Sequence, residues 1–404
     1  MKRTAFVTGA TGFLGAFFTV QLLRQGLPVL ALVRNVAERS LLPTFEEIGT
    51  LYPDFSTDRV ADFTGVDGDI RAQNCGLSDF DFERVTSQAT DIWHFAAAFD
   101  DQGKGDGEVY ATNVGGTDNL LNLLTRCKNA VRLNYVSTAY AGPVVDNISY
   151  ERLARPEEAT GNEYETTKAE AERRLTSFCQ ANGIEYRIFR PPIVAGESNA
   201  GFSLGYTGYQ GVFRALYLLK RRLEINIGSW FDHDLHLRVI ADPELMVNVV
   251  PADFVTEAMW RISEDDQSAG SLSNVTSART VALETLFETA SDTLGVRGIH
   301  LSLTHDFDAV PMSLAERLFR RRMKFQEPYF LQCSQFDSDN FRRFVPEVQL
   351  PSPACSTAYL ALCNQYCLSA MEQEFLDAGE KPTIDQTGDS GPDNGQVDLE
   401  HRFC

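Results

Sequence analysis

Tyr164 and Lys168 stand four residues apart in the run NEYETTKAEAERRL, which reads as a helix, so the phenol and the ammonium share one helix face. A tyrosine with an unperturbed pKa of about 10 is a poor proton shuttle at neutral pH. A neighbouring ammonium favours the phenolate, lowers that pKa and makes the hydroxyl a usable acid or base. Upstream, the run VRLNYVST ends in Ser137 and Thr138. If it is a strand, these hydroxyls sit at the carboxyl edge of a sheet, where open α/β folds bind ligands. A tyrosine–lysine spacing alone is common by chance, and two exposed residues on a helix would look the same. The elements before it make it specific.

The chain opens with RTAFVTGATGFLGAFFTVQLLRQGLPVLALVR. An apolar run, Thr4 to Val7, leads into Gly9, Gly12 and Gly15. A helical pattern follows (Phe13, Phe17, Phe18, Leu22), and a second apolar run, Val29 to Val33, ends in Arg34. Strand, glycine turn, helix, strand is a βαβ unit and predicts a dinucleotide site. The glycines permit the tight turn and let the backbone approach a pyrophosphate, whose charge sits among unpaired N–H groups at the helix N-terminus. Thr8, Gly9, Thr11, Gly12, Phe13, Leu14 and Gly15 form the predicted cradle. Arg34 refines the cofactor: an acidic residue there would bind the ribose hydroxyls of NAD, whereas an arginine accommodates the extra phosphate of NADP. Arg39, one turn further on, could share that phosphate. A solvated basic residue is the plain alternative for both.

Further candidates follow in order. Asp69 and Ile70, in GVDGDI, end a third apolar run; the acid either faces an adenine amino group or closes a turn. DIWHFAAA, residues 91–98, reads as a fourth strand, with Ala96, Ala97 and Ala98 leaving space beside the backbone for the cofactor. His94 reads as a packing residue. Asn113 lies near the start of a helix beginning near Tyr110, in which Gly115 and Gly116 allow close packing on the sheet. The strand IEYRIFRPPIVAG breaks at Pro191 and Pro192, turning the chain across the cofactor, with Ile193 and Val194 offered to the nicotinamide.

Composition excludes several classes. The 404 residues are 43% hydrophobic and carry a formal charge of -20, which argues against nucleic acid and anionic membrane surfaces as partners. No apolar run reaches the ~20 residues of a membrane span. The N-terminus enters a strand at once, leaving no room for a signal peptide. Eight cysteines at 75, 127, 179, 333, 355, 363, 367 and 404 form no CxxC, so reduced thiols in a cytoplasmic protein are the simplest reading. No metal-ligand spacing is present among the histidines or cysteines.

The motifs TGATGFLG, HFAAA, NVGGT, VSTAY, YETTK and RPPIVAG together resemble the extended short-chain dehydrogenase/reductase superfamily over roughly residues 3 to 260. Within it, TGFLG, LVR, STAY, YxxTKAxAE and NVVPADFVTEAM are similar to the branch holding fatty acyl and thioester reductases. The resemblance implies an α/β fold, a Rossmann-type doubly wound parallel sheet with a smaller, mostly helical C-terminal substrate lobe. It gives Thr138, Tyr164 and Lys168 catalytic roles, with Ser137 as fallback for Thr138. Lys168 would also hold the nicotinamide ribose, and Thr138 would hydrogen-bond the carbonyl oxygen as it gains charge.

The expected partition is residues 1–200 with 237–262 as the NADP-binding domain, 201–236 and 263–376 as the substrate lobe, and 380–404 as a disordered acidic tail. In the lobe, Arg214, Lys220, Arg221 and Arg222 form a basic patch, and Arg320, Arg321 and Arg322 a second. They could dock an anionic phosphopantetheine or coenzyme A tail, or simply be solvated. The dense aromatics between Phe319 and Phe344 line an acyl channel or form the lobe's own core. His233 and His236 could contact substrate. The leading expectation is an NADPH-dependent reductase of an acyl thioester, delivered by coenzyme A or by a separate acyl carrier protein, to the aldehyde, which a second hydride could carry to the alcohol. The second is an NADP-dependent ketone or secondary-alcohol oxidoreductase of the hydroxysteroid or dihydroflavonol type. The third, from another class, is a non-catalytic NADP-binding regulator. Oligomeric expectation is monomer or homodimer.

Overall fold

A computed structural model describes residues 3–36, 40–99, 107–159, 161–228, 231–303, 310–332 and 335–377. Arg39 and the 380–404 segment lie outside them. The chain forms two compact units. The first comprises residues 1–194, 245–281 and 332–355, and the second residues 195–244, 282–331 and 356–404.

The first unit is built on β1 (Ala5–Thr8), α1 (Phe13–Arg24), β2 (Val29–Val33), α2 (Leu42–Gly49), β3 (Phe63–Asp67), α3 (Asp79–Gln88) and β4 (Asp91–His94). Helix α4 follows in three segments: Glu108–Tyr110, a π-helical turn Ala111–Gly115, and Gly116–Leu124. Then come β5 (Arg132–Val136), α5 (Glu163–Asn182), β6 (Glu185–Arg190), α6 (Ala252–Ser263) and β7 (Leu272–Asn274). The seven strands form one parallel sheet in the order β7-β6-β5-β4-β1-β2-β3. The chain reverses direction across the sheet between β1 and β4, and the crevice at the carboxyl end of such a switch is where doubly wound folds bind nucleotides.

Parallel strands covered on both faces read as continuous apolar runs, as VLALV does. Alternate residues divide between two clusters: Ala5, Val7, Ala31 and Trp93 pack into one, Phe6, Leu30, Leu32 and Ile92 into the other. At the amino edge, buried Asp91 pairs with Arg3 at 2.8 Å and with Arg132. These guanidiniums hold its carboxyl below the usual range against the cost of burial.

The strands are shorter than the apolar runs. β3 stops at Asp67, β4 at His94 and β5 at Val136, so Asp69, Ala96 to Ala98, Ser137 and Thr138 lie in the connections just beyond the carboxyl edge. The partition also differs from the expected one: 263–281 and 332–355 belong to the first unit, and 195–200 and 237–244 to the second. β7 extends the sheet by pairing Leu272–Asn274 with Ile188–Arg190. The DSDNFRRF segment is tied to this edge: the Asn340 amide donates to the Leu272 carbonyl at 3.0 Å, and that of Asn274 to the Asp337 carbonyl at 2.8 Å. Half-buried Glu151 accepts the backbone N–H of Asn274, Asn340 and Phe341, and its removal from water pushes its pKa up to about 7.

The second unit is mostly helical, with helices Tyr209–Ile227, Leu283–Leu294, Leu314–Arg322 and Thr357–Asp377 around a parallel strand pair, Asp234–Ile240 and Arg297–Ser302. Phe319 and Phe330 are buried there against Phe287, the core alternative for those two aromatics. Phe341 is instead in the first unit's core, edge-on to Phe254. The basic patches are partly satisfied locally: Arg214 lies over the Tyr206 ring, Arg221 pairs with Glu224, and Arg320 with Glu327. His236 is exposed beside Asp234. Among the described residues, no helix is long and apolar enough to cross a membrane, and no three His, Cys, Asp or Glu are grouped to hold a metal. Cys75, Cys179 and Cys367 are buried free thiols, and burial pushes each up to about 12.

Candidate active site

The glycine turn is dictated by space. Gly9 has a φ of +77°, and a Cβ there would meet the Ala96 nitrogen at 2.5 Å. A Cβ on Gly15 would meet the Gly9 carbonyl oxygen at 2.1 Å. Gly12 donates its N–H to that same carbonyl at 3.1 Å and precedes the first turn of α1. No side chain caps this helix and no acid stands in its first turn, so its N–H groups remain available for an anion. Thr11, Phe13 and Leu14 are half-buried around the turn. A pyrophosphate fits this cradle.

Behind the turn, the Thr8 hydroxyl lies 2.7 Å from His94 Nδ1, and His94 Nε2 lies 3.1 Å from the Thr117 hydroxyl. The Thr117 hydroxyl donates to the Asn113 carbonyl, so it accepts from Nε2–H and leaves Nδ1 as the acceptor for Thr8. Burial, with the Lys168 charge second, holds the imidazole down at about 3, so His94 is a neutral brace.

Arg34 is exposed directly after β2. Asp69, after β3, is gripped by Arg71, with Nη2 to Oδ2 at 2.7 Å, which keeps its carboxyl below the ordinary value. Ile70 is buried against Gly116, where a Cβ would come within 3.0 Å. Ala96, Ala97 and Ala98 are half-buried beyond β4. The buried Asn113 amide, placed by the π-helical turn, is engaged by protein: it accepts from the Ala98 N–H at 2.8 Å and donates to the Ala98 carbonyl at 2.9 Å and to the Thr167 hydroxyl at 3.0 Å. It braces the β4 exit against the helix turn that ends in Lys168.

On the other side of the crevice, Ser137 N–H donates to the Phe189 carbonyl and Ala139 N–H to that of Pro191, which fixes the exits of β5 and β6 side by side. Pro191 and Pro192 are buried, and Ile193 and Val194 half-buried. Thr138 is 7% exposed and accepts weakly from Tyr140 N–H at 3.4 Å. The Ser137 hydroxyl is buried and finds no hydrogen-bond partner among the described residues. Lys168 Nζ donates to the Val136 carbonyl at 2.7 Å and sits 4.6 Å from the centre of the Tyr135 ring. That anchor brings the α5 face carrying Tyr164 toward the end of β5. Tyr164 meets Phe99 edge-on, with centroids 6.3 Å apart.

The charge states differ from the simple tyrosine–lysine expectation. Burial, then the Glu165 charge, raises the Tyr164 phenol above its ordinary value, while burial lowers Lys168 to about 7 against the opposing pull of Glu172. Desolvation is the largest cause of both shifts, and it cannot be read from spacing. Glu172 itself is buried, bonded to the fully buried Arg190 with Nε to Oε1 at 2.8 Å. Sequence reasoning missed Tyr135, Thr167, Glu172 and Arg71. The one usable signal was an aromatic beside the hydroxyls in NYVST.

A doubly wound sheet with a glycine cradle on one side of the switch point and a buried lysine at the end of a strand whose exit carries two hydroxyls on the other defines an NAD(P)-binding oxidoreductase of the extended short-chain dehydrogenase/reductase type. The family model described as "Male sterility protein" matches residues 7–259, and the chain belongs to that family. The chain is 23% identical over 295 residues to the "Putative fatty acyl-CoA reductase CG8306" of Drosophila melanogaster, covering 64% of this chain and 54% of that protein. It is 27% identical over 281 residues to the nonribosomal peptide synthetase asaC of Aspergillus flavus, covering 66% of this chain and 25% of that one. The chain thus spans about half of the first relative and a quarter of the second. In fold it is similar to the terminal R domain from the myxalamid PKS-NRPS biosynthetic pathway, with a TM-score of 0.71 at 21% identity, covering 93% of this chain and 92% of that one. It is also similar to a thiolation-reductase di-domain from an archaeal non-ribosomal peptide synthetase, with a TM-score of 0.68 at 16% identity, covering 92% and 76%.

Proposed function

We propose that the chain is an NADPH-dependent reductase of an acyl thioester, presented on coenzyme A or on a carrier protein, giving the aldehyde and, after a second hydride, the alcohol. One observation carries the reading: the buried amine of Lys168 donates to the Val136 carbonyl at the end of β5, directly before Ser137 and Thr138 in the chain, on the sheet edge that bears the glycine cradle. When bound, NADPH would supply the hydride for the carbonyl carbon, and the C–S bond would then break, the coenzyme A or carrier thiol leaving as the aldehyde forms. Gly9, Thr11, Gly12, Phe13, Leu14 and Gly15 would hold its pyrophosphate, Arg34 its 2′-phosphate, and Ala96 to Ala98, Pro191 to Val194 and Lys168 the nicotinamide half. Thr138 donates a hydrogen bond to the carbonyl oxygen as negative charge builds there, with Ser137 as the second hydroxyl. Tyr164 delivers the proton that oxygen needs when an aldehyde is reduced to alcohol. A lysine with a pKa of about 7 exchanges charge near neutrality, so Lys168 can follow the charge on the phenol at little cost.

The thioester is favoured by the names of the relatives, a fatty acyl-CoA reductase and a peptide synthetase. A carrier-bound substrate is favoured by the architecture of the thiolation-reductase di-domain. The dihydroflavonol 4-reductase of Hordeum vulgare, 27% identical over 209 residues, favours a second reading, a ketone or secondary-alcohol oxidoreductase using the same three side chains. NADPH oxidation measured with acyl-coenzyme A, acyl-carrier protein, aldehydes and ketones separates the two. Turnover confined to ketones would sink the thioester reading.

A further inference from the structure

The edge formed by β2 and β3 carries three charges that bear on cofactor choice. Val33 pairs with Asp67 in the sheet, so Arg34 and Asp69 follow neighbouring strand ends, and the field of Arg34 reaches the Asp69 carboxylate. An unpaired carboxylate beside Arg34 would repel a 2′-phosphate and favour a free ribose hydroxyl. Here the carboxylate is fully occupied. The Arg71 backbone N–H donates to Oδ1 at 2.9 Å, its Nε reaches both oxygens at 3.1 Å, and its Nη2 reaches Oδ2 at 2.7 Å. The remaining Arg71 nitrogen, Nη1, extends to Glu108 at 3.3 Å.

Resting on the NADPH reading, we propose that Arg71 is a specificity-determining residue: by holding the Asp69 carboxylate in this fork it cancels the charge that would oppose a 2′-phosphate beside Arg34. Arg71 acts through Asp69, so the two form a coupled pair, and removing the acid makes the arginine dispensable.

The test is a titration of NADPH and NADH fluorescence with the full chain and its variants. Arg71→Ala should weaken NADPH binding about tenfold and NADH binding less than about twofold. Asp69→Asn in the Arg71→Ala background should restore most of the NADPH affinity. Equal losses for both cofactors, or no recovery in the double variant, would overturn the proposal and leave Arg71 as a loop brace. Loss of NADPH preference in Arg34→Ala but not in Arg71→Ala overturns this inference while the NADPH reading stands. A wild-type chain that binds both cofactors equally overturns both.

Discussion

The two halves of the sheet solve the problem of binding in different ways. In the β1–β3 half, the cradle is backbone: two glycines whose Cβ atoms would collide with main chain, and a helix N-terminus left uncapped. In the β4–β6 half, the site is buried side chains whose charge states are set by their surroundings, with Lys168 held at about 7 and His94 at about 3. Backbone geometry fixes where an anion can sit. Desolvation fixes when a proton can move.

If the division holds, single-atom changes in the catalytic half should stop chemistry and spare binding. Tyr164→Phe should lower turnover by about 10³, or ~4 kcal/mol, with NADPH affinity nearly unchanged in a fluorescence titration. Retained turnover would shift the proton donor elsewhere. Next in size, Glu172→Gln leaves Arg190 buried without its carboxylate and should cost about 3 kcal/mol in urea unfolding. It should also lower the pKa of Lys168 further, seen as a shift in the pH–rate profile. In the nucleotide half, Gly15→Ala should cost about 2 kcal/mol and abolish tight NADPH binding, because the Gly9 carbonyl must move. Gly12→Ala, with its nearest contact at 3.4 Å, should do far less. Equal effects of the two alanines would break the comparison.

Lys168 also sets a slope of stability with pH. Lys168 has a folded pKa of about 7 against an ordinary value of 10.5. Between those values the unfolded chain binds the extra proton, so this residue makes stability rise with pH across that window. Below pH 7 both states are charged and the desolvation penalty is complete. Lys168→Met should therefore flatten the rise in melting temperature from pH 7 to 10. An unchanged slope would mean the ammonium is better solvated than its surroundings indicate.

The legible parts of the sequence were those that act locally. The glycine spacing and the helix behind it lie within one βαβ unit, and the Tyr164–Lys168 spacing is a property of a single helix. What sequence reasoning could not reach depended on partners far along the chain. β7 is three residues long and becomes a strand only by pairing with Ile188–Arg190, so the 263–281 segment gave no sign of belonging to the sheet. Asn113, expected at the cofactor, has its amide engaged by Ala98 and Thr167, groups 15 and 54 residues away. The raised Tyr164 and lowered Lys168 follow from burial. Asp69 is the local case: of its two expected roles, adenine contact or turn, the structure shows a carboxylate held by Arg71 only two residues on.

Under the proposed thioester reading, the buried thiols carry a consequence. At neutral pH a sulfur whose proton leaves only near 12 is almost never a nucleophile. Cys75, Cys179 and Cys367 would therefore not capture an incoming acyl chain by exchange, and the protein can meet its own substrate without being acylated at those positions. Mass spectrometry after incubation with an acyl donor should find those three unmodified.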